Sequence, residues 1–128
     1  MSYHNSKTVS YSFDEAIEKV TAELKEKGFG ILTEIDVTAT LKKKLDVDFR
    51  KYRILGACNP PFAHKALSAE KNIGVLLPCN VVVQELEGGQ VEVSMVNPMV
   101  SMQAVENPKL EEVASEVSSL MSQALAKL

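Results

Sequence analysis

The sequence predicts an α+β fold in which an antiparallel sheet carries its helices mainly on one face. Three observations lead to this prediction: an apolar repeat of helical period near each end of the chain, several short segments of alternating polarity between them, and a glycine pair at 88–89 between the last two of these segments. The chain has 128 residues, which is a usual size for one domain. We therefore expect a single domain over residues 1–128.

The first predicted helix begins directly after Ser12. Ser12 and Glu15 have the spacing of a capping box, in which each side chain bonds the backbone N–H of the other residue. Gly28 is placed to end the helix in a left-handed turn. A short strand over 8–11 is expected before this helix. The apolar residues that follow Ser12 at helical intervals are Phe13, Ile17, Val20 and Leu24.

Period-two alternation predicts further strands, each with one covered face. Between the last two of them lies the turn 87–90, where glycine accepts the positive φ that tight hairpin turns require. These two strands are therefore expected to pair antiparallel. The predicted strands cover 31–37, 52–56, 81–86 and 91–96.

Three more helices complete the prediction. Two are short and lie between strands, over 38–45 and 61–69. The third begins at Asn107 and Pro108, which supply a capping residue and the first helical residue, and it continues to the end of the sequence. Its apolar residues keep helical spacing, so one face is expected to pack on the sheet; they are Leu110, Val113, Val117, Leu120, Met121, Leu125 and Leu128.

Composition and charge argue against several classes of function. Apolar residues make up 45% and charged residues 24% of the chain, as in ordinary globular proteins. The net charge of -3 is spread along the chain, and its only basic run, 42–44, is typical of a solvated face, so nucleic acid is not an expected partner. No apolar stretch reaches the roughly 20 residues that span a bilayer, and the first residues lack a secretory signal. We expect a cytoplasmic protein with no membrane partner.

Both cysteines of the chain lie in short motifs that also hold Asn and Pro: Cys58-Asn59-Pro60-Pro61 and Pro78-Cys79-Asn80. A cysteine becomes a nucleophile or a metal ligand when its thiolate is stabilised. Alternation places Cys58 at the end of a strand, and the residues after it are typical of a helix start with a capping Asn59. Unpaired N–H groups at a helix start favour a thiolate. If the two strands are neighbours, both sulfurs can face one pocket.

His64 lies about one turn into the helix after Cys58. It can assist deprotonation of Cys58, or it can be an exposed histidine with no role in the site. Cys58, His64 and Cys79 together can hold zinc, but three ligands are one short of a closed structural site, so water, a carboxylate or a neighbouring subunit would have to complete it. Either cysteine can equally be a buried packing residue, and Asn59 can serve only as a cap.

Two segments carry a resemblance to a known family: Gly56-Ala57-Cys58-Asn59-Pro60, with Ala63 and Ala66-Leu67 after it, and Leu76-Leu77-Pro78-Cys79-Asn80-Val81-Val82-Val83. They resemble the motif pair of family 302 of the domains of unknown function, and the match extends over nearly the whole chain. The resemblance implies a β-α-β(4)-α domain similar to half of the TATA-binding-protein saddle, and commonly a homodimer. The family has no established activity, so the resemblance implies site positions without a mechanism.

Two hypotheses on function follow from the motifs, and a third stays open. The first is a binding or sensing module whose cleft, between the sheet and helix 61–69, holds a small anion, a metal or an acyl-type ligand. Its expected ligand-binding residues are Asn59, Pro60, His64, Pro78 and Asn80. The second is a thiol-dependent enzyme or redox sensor in which Cys58 attacks, His64 assists and Cys79 resolves the oxidised form. The third is a purely structural role of the motifs, in the fold and in a dimer interface.

Overall fold

The computed structural model describes residues 2–128 and contains one five-stranded antiparallel sheet. The strand order is β1-β5-β4-β3-β2, so β1 and β2 are the two edges. The predicted α+β class and the β-α-β(4)-α order are confirmed, with short helices inserted between strands. The elements are β1 (His4–Val9), α1 (Phe13–Glu26), β2 (Gly30–Asp36), α2 (Val37–Leu45), β3 (Tyr52–Cys58), α3 (Pro60–Ala69), β4 (Cys79–Glu85), β5 (Val91–Val96), α4 (Pro98–Ser101) and α5 (Pro108–Ala126), with 3-10 turns at Ile73–Leu76 and Gln103–Val105.

The first helix begins and ends as its sequence predicts. The backbone N–H of Glu15 donates to Ser12 Oγ at 3.2 Å, and the backbone N–H of Ser12 donates to Glu15 Oε1 at 3.5 Å. Gly28 follows the helix with a φ of 88°, a conformation that glycine adopts without a steric penalty. The helix buries one stripe against the sheet, formed by Phe13, Ala16, Val20 and Leu24.

The first strand lies earlier than the predicted segment 8–11. It spans His4–Val9 and pairs antiparallel with β5, from His4 opposite Val96 to Val9 opposite Val91. Alternation does not reveal this strand because Lys7 occupies a position on the helix-facing side. Its Nζ donates to the carbonyl of Ala126 at the end of α5, at 3.1 Å. A lysine that reaches a helix end reads in the sequence as an exposed residue.

One face of the sheet forms the core and the other does not. Alternate residues of the three inner strands are buried under α1 and α5; they include Leu55, Ala57, Val81, Val83, Val93 and Met95. Their neighbours on the opposite face, such as Tyr52, Val82 and Ser94, are only half-buried. This alternation is the reason that the helices pack mainly on one face.

The longest helix, α5, has 19 residues and buries seven of them. It lies along the helix-bearing side of the sheet and contacts α1, α3 and α4. Within residues 2–128, no helix combines the length and the apolar character needed to cross a membrane.

The strands that carry the two cysteines are neighbours in the sheet. In the β3–β4 ladder Ala57 lies opposite Cys79, and Gly56 lies opposite Asn80. A Cβ at Gly56 would collide with the side chain of Thr33 and would lie 2.7 Å from Cγ of Pro78. The absence of a side chain at residue 56 therefore lets Pro78 and β2 close over this end of β3.

Candidate functional site

Cys58 and Cys79 line the same cavity, which we call the cysteine cavity. It has a volume of about 310 Å³ and lies at the ends of β3 and β4, against α3 and α5. Ala57 is opposite Cys79 in the ladder, so Cys58 lies one residue past the partner of Cys79 on the adjacent strand, and alternation directs the two side chains to opposite faces of the sheet. Both residues border the cavity because it lies where β3 ends. The rest of the wall is almost wholly apolar and includes Phe29, Phe62, Ala66, Leu77, Met102, Val113 and Val117.

Nitrogen and oxygen are scarce among the side chains of this wall. Within residues 2–128, the only lining side chain that carries either is Asn59. The remaining heteroatoms belong to sulfur, in Cys58, Cys79 and Met102. Other cavities differ in this respect: the one of about 460 Å³ beside α2 is bordered by charged Asp36, Lys42 and Arg53. The wall of the cysteine cavity is therefore unfavourable for charged ligand groups.

Cys79 is the first residue of β4 and points into the core side of the sheet. It is 7% exposed, and within the described residues its thiol has no hydrogen-bond partner. Burial raises the pKa of this thiol from 9.0 to about 11, and negative charge on Cys58 adds to the rise. Cys79 is therefore a neutral thiol at neutral pH.

Cys58 ends β3 directly before α3, and it is half-buried. The start of α3 offers few N–H groups that could stabilise a thiolate at Cys58, contrary to the expectation from the sequence. Pro60 and Pro61 are the first two residues of α3 and have no backbone N–H, and the N–H of Ala63 donates to the carbonyl of Asn59 at 2.9 Å. Of the first four residues of α3, only Phe62 keeps an N–H for an anion.

Asn59 occupies the N-cap position of α3, but the prediction that its side chain caps this helix is wrong. The side chain makes no capping bond; its Nδ2 instead donates to the carbonyl of Lys27 at 3.1 Å. Lys27 and Gly28 form the turn between α1 and β2, and a Cβ at Gly28 would lie 3.1 Å from this Nδ2. Asn59 therefore holds the start of α3 against that turn.

The remaining predicted site residues are divided between different surfaces. Pro78 lines the cysteine cavity. Pro60 begins α3 but is not part of the cavity wall. Asn80 is exposed on β4, and alternation places its side chain on the face opposite to Cys79.

His64 does not line the cysteine cavity. It lines a separate cavity of about 430 Å³ between α3 and α5, together with Lys65, Lys109 and Glu116. Across residues 2–128, no three His, Cys, Asp or Glu side chains lie close enough together to hold a metal ion. The possible zinc site of Cys58, His64 and Cys79 is therefore not formed among the described residues, and His64 lines a different cavity from Cys58.

The wall that closes the cavity from the helix side is not predictable from the sequence. This wall consists of Met102, Val113 and Val117, which come from the segment before α5 and from α5 itself. Their apolar spacing predicts the buried stripe of α5 but not which strand ends this stripe covers. On α3 a signal was present: Asn59, Ala63 and Ala66 recur at helical spacing, and His64 lies off this stripe.

Comparison with known proteins gives one family and one fold. The family model described as "Domain of unknown function DUF302" matches residues 5–128. A similar solved structure is that of an uncharacterised conserved DUF302 protein from Bacillus stearothermophilus, with 30% sequence identity and a TM-score of 0.92 over 99% of this chain and 98% of that chain. No curated protein matches the chain at a significant level. With this match over nearly its whole length, the chain belongs to the DUF302 family.

Proposed function

We propose that this domain binds a small, largely apolar molecule in the cysteine cavity. The observation that carries the proposal is a cavity of about 310 Å³ whose lining side chains are apolar or sulfur-bearing, with Asn59 as the exception. Ligand sites are typically concave, apolar and formed before the ligand arrives. This volume corresponds to roughly ten water molecules at about 30 Å³ each, which suits a short acyl or alkyl chain.

Among the three ligand classes that the sequence suggests, the acyl-type ligand fits best. A small anion would need N–H donors, and two of the first four residues of α3 are prolines. A bound metal ion would need at least three protein ligands, and within residues 2–128 no three His, Cys, Asp or Glu side chains are placed to hold one. An apolar chain needs neither, because its transfer from water is favourable by itself.

The mouth of the cavity is marked by two exposed leucines. Leu32 of β2 is 68% exposed and Leu67 of α3 is 46% exposed, yet both line the cavity. Large apolar side chains that are exposed around an apolar cavity are typical of a binding groove. We expect the ligand to enter between β2 and α3 and to leave its polar end at this mouth.

Filling the cavity should abolish binding. Ala63 is half-buried on the cavity side of α3, so an Ala63→Trp side chain would occupy the space that the ligand needs. The probe is N-hexylpropanamide, an alkyl chain with one neutral polar end. We expect its Kd, measured from amide chemical shifts, to rise at least tenfold in Ala63→Trp.

The matched control is Ala22→Trp, which adds the same side chain at an exposed residue of α1. This variant should bind the probe as the wild-type protein does. Equal loss of affinity in both variants, or wild-type shifts confined to residues outside the cavity wall, would show that the cavity is not the binding site.

A thiol-dependent enzyme or redox sensor is the second candidate. The observation that favours it is the position of both thiols on adjacent strands at one cavity. The neutral state of buried Cys79 weighs against it, because resolution of an oxidised Cys58 needs a thiolate. His64 lines a different cavity from the thiols, which leaves Cys58 without an identified base. A redox sensor of this kind requires that peroxide oxidises Cys58 and Cys79 to a disulfide in the folded protein. Mass spectrometry under non-reducing conditions detects such a disulfide.

A further inference from the structure

We propose that the cysteine cavity captures apolar molecules that carry an α,β-unsaturated carbonyl group, and that Cys58 forms a covalent bond to them. The inference deepens the proposed binding function and rests on it. It names the ligand class by the two chemical properties that the wall combines: an apolar surface for a hydrocarbon chain, and a thiol for an electrophilic carbon.

The reactive groups of the wall are its sulfur atoms. The amide of Asn59 is engaged with the carbonyl of Lys27, which leaves it little part in recognising a ligand. Cys58 and Cys79 are free thiols. A thiolate is a strong nucleophile toward carbon, and an apolar cavity raises the local concentration of any apolar electrophile beside it.

The two thiols differ in how far they are exposed. Cys58 is half-buried at the end of β3, where an approaching ligand can reach its sulfur. Cys79 is 7% exposed, with no hydrogen-bond partner in the described part of the chain. Its burial and the charge of an ionised Cys58 both favour the protonated thiol. Cys58 is therefore the nucleophile, whereas Cys79 stays protonated.

The step is a conjugate addition and is balanced without an oxidant or reductant. The Cys58 thiol first loses its proton to solvent. Its sulfur then forms a bond to the β-carbon, and the π pair of the carbon–carbon double bond moves to the α-carbon and the carbonyl oxygen. The resulting enolate takes one proton at the α-carbon from water. The product is a thioether, with S–H added across the double bond.

Two acrylamides with the same reactive group separate capture in the cavity from ordinary thiol reactivity. N-hexylacrylamide and acrylamide differ only in the alkyl chain. Peptide mass mapping gives the alkylation rate constant at Cys58 for each reagent, in the folded protein and in urea. Because the buried methylenes contribute favourable transfer free energy, we expect the ratio of the two rate constants to be at least tenfold larger in the folded protein.

The variants locate this effect. Ala63→Trp should reduce the ratio to that of the unfolded chain, whereas Ala22→Trp should leave it unchanged. Cys58→Ser should lose rapid alkylation altogether, with no transfer of the modification to Cys79. A ratio in the folded wild-type protein equal to that in urea would overturn the proposal.

The saturated analogue N-hexylpropanamide separates the two proposals. If it binds in the cavity but N-hexylacrylamide shows no enhanced reaction at Cys58, binding stands and covalent capture is overturned. If the analogue does not bind and the ratio is not enhanced, both are overturned. Enhanced reaction that the analogue slows supports both, and enhanced reaction that the analogue fails to slow places the adduct outside the cavity and overturns capture there.

Discussion

Cys79 shows how a single buried residue couples this site to the stability of the fold. Its thiol is protonated at neutral pH because burial disfavours the charged form, and a charged Cys58 disfavours it further. In the unfolded chain the same thiol is solvated, with an ordinary pKa of 9.0. Unfolding is therefore linked to loss of a proton at alkaline pH.

We expect this linkage to lower the free energy of unfolding between pH 9 and pH 11. Above pH 9 the unfolded chain has released the Cys79 proton, whereas the folded chain keeps it until about pH 11. A raised pKa in the folded state thus gives stability that is fully present below pH 9 and is lost as pH rises through the folded pKa. The loss is about 3 kcal/mol, from 1.36 kcal/mol for each of the two pKa units between 9.0 and about 11.

Urea unfolding of the wild-type protein and of Cys79→Ala across this pH range tests the linkage. Cys79→Ala leaves a space in the core at every pH, so its lower stability alone does not test the linkage. The test is the slope of the free energy of unfolding against pH. Wild-type stability should fall with pH more steeply than that of Cys79→Ala, by the amount given above. Parallel curves would mean that Cys79 ionises in the folded protein as it does in the unfolded chain.

For single residues, the shared pocket of the two thiols is easier to predict from the sequence than the roles of Asn59 and His64. The matching motifs predict that Cys58 and Cys79 share a pocket only if their strands are neighbours, and the β3–β4 ladder meets this condition. The direction of a helical side chain depends instead on which face α5 covers. The sequence predicts that Asn59 caps α3 and leaves open whether His64 assists Cys58 or has no role in the site. In the structure Asn59 bonds Lys27, and His64 lines a separate cavity.

At the scale of elements, three Asn-Pro pairs start three helices and join each start to a distant segment. Asn59, Asn97 and Asn107 are the N-cap residues of α3, α4 and α5. Each donates its side-chain N–H to a carbonyl distant in sequence: those of Lys27 at 3.1 Å, Ser2 at 3.2 Å and Ala69 at 3.0 Å, respectively. An Asn-Pro pair in this fold joins a helix start to another segment, a role that cannot be read from the dipeptide alone.

Asn107 allows the capping role and the joining role to be separated. Its Oδ1 accepts from the backbone N–H of Lys109 at 3.0 Å, while its Nδ2 donates to Ala69 and to Glu70 Oε1, the latter at 3.2 Å. Asn107→Asp keeps the capping oxygen, and Asp is as good an N-cap as Asn. It removes the donor and places a carboxylate beside the carbonyl of Ala69. We expect a loss of about 1 kcal/mol in the free energy of unfolding.

The control for this substitution is Asn80→Asp, the same change at an exposed residue of β4. Its effect in urea unfolding should stay within about 0.5 kcal/mol. Asn107→Ala should lose both roles and be destabilised as well. If Asn107→Asp is as stable as the wild-type protein, the cap alone accounts for Asn107, and the joining of α3 to α5 contributes nothing measurable.

Element types were predictable where one face is buried and the other solvated. The capping box of α1 and the β4–β5 hairpin, with both turn glycines at positive φ, form as their residues indicate. The position of β1 was not predictable, because Lys7 breaks its apolar alternation and is satisfied by a partner at the far end of the chain. Short edge strands depend on such distant partners more than inner strands do.

Across the whole molecule, burial is unevenly distributed. α5 buries seven residues and α1 buries four, whereas α2 buries none. The chain from β2 to the residues before β3 forms one edge of the molecule, with exposed Leu45, Val47 and Phe49. The homodimer and the likeness to half of a TATA-binding-protein saddle, both implied by the family resemblance, stay predictions.

We expect this edge to open independently of the core. α2 is held by its cap at Asp36 and by Thr38, whose Oγ1 donates to the carbonyl of Arg50 at 2.7 Å and accepts the N–H of Tyr52 at 3.0 Å. Regions with few buried apolar contacts exchange their amide hydrogens through local opening, at free energies well below that of global unfolding. Native-state hydrogen exchange should therefore give α2 a free energy of opening at least about 2 kcal/mol below that of α5, with α1 close to α5. Leu32 at the cavity mouth lies in β2, the strand directly before α2, so local opening of this edge would also affect how a ligand enters the cavity. Equal free energies for α2 and α5 would contradict local opening and would mean that the edge unfolds only together with the core.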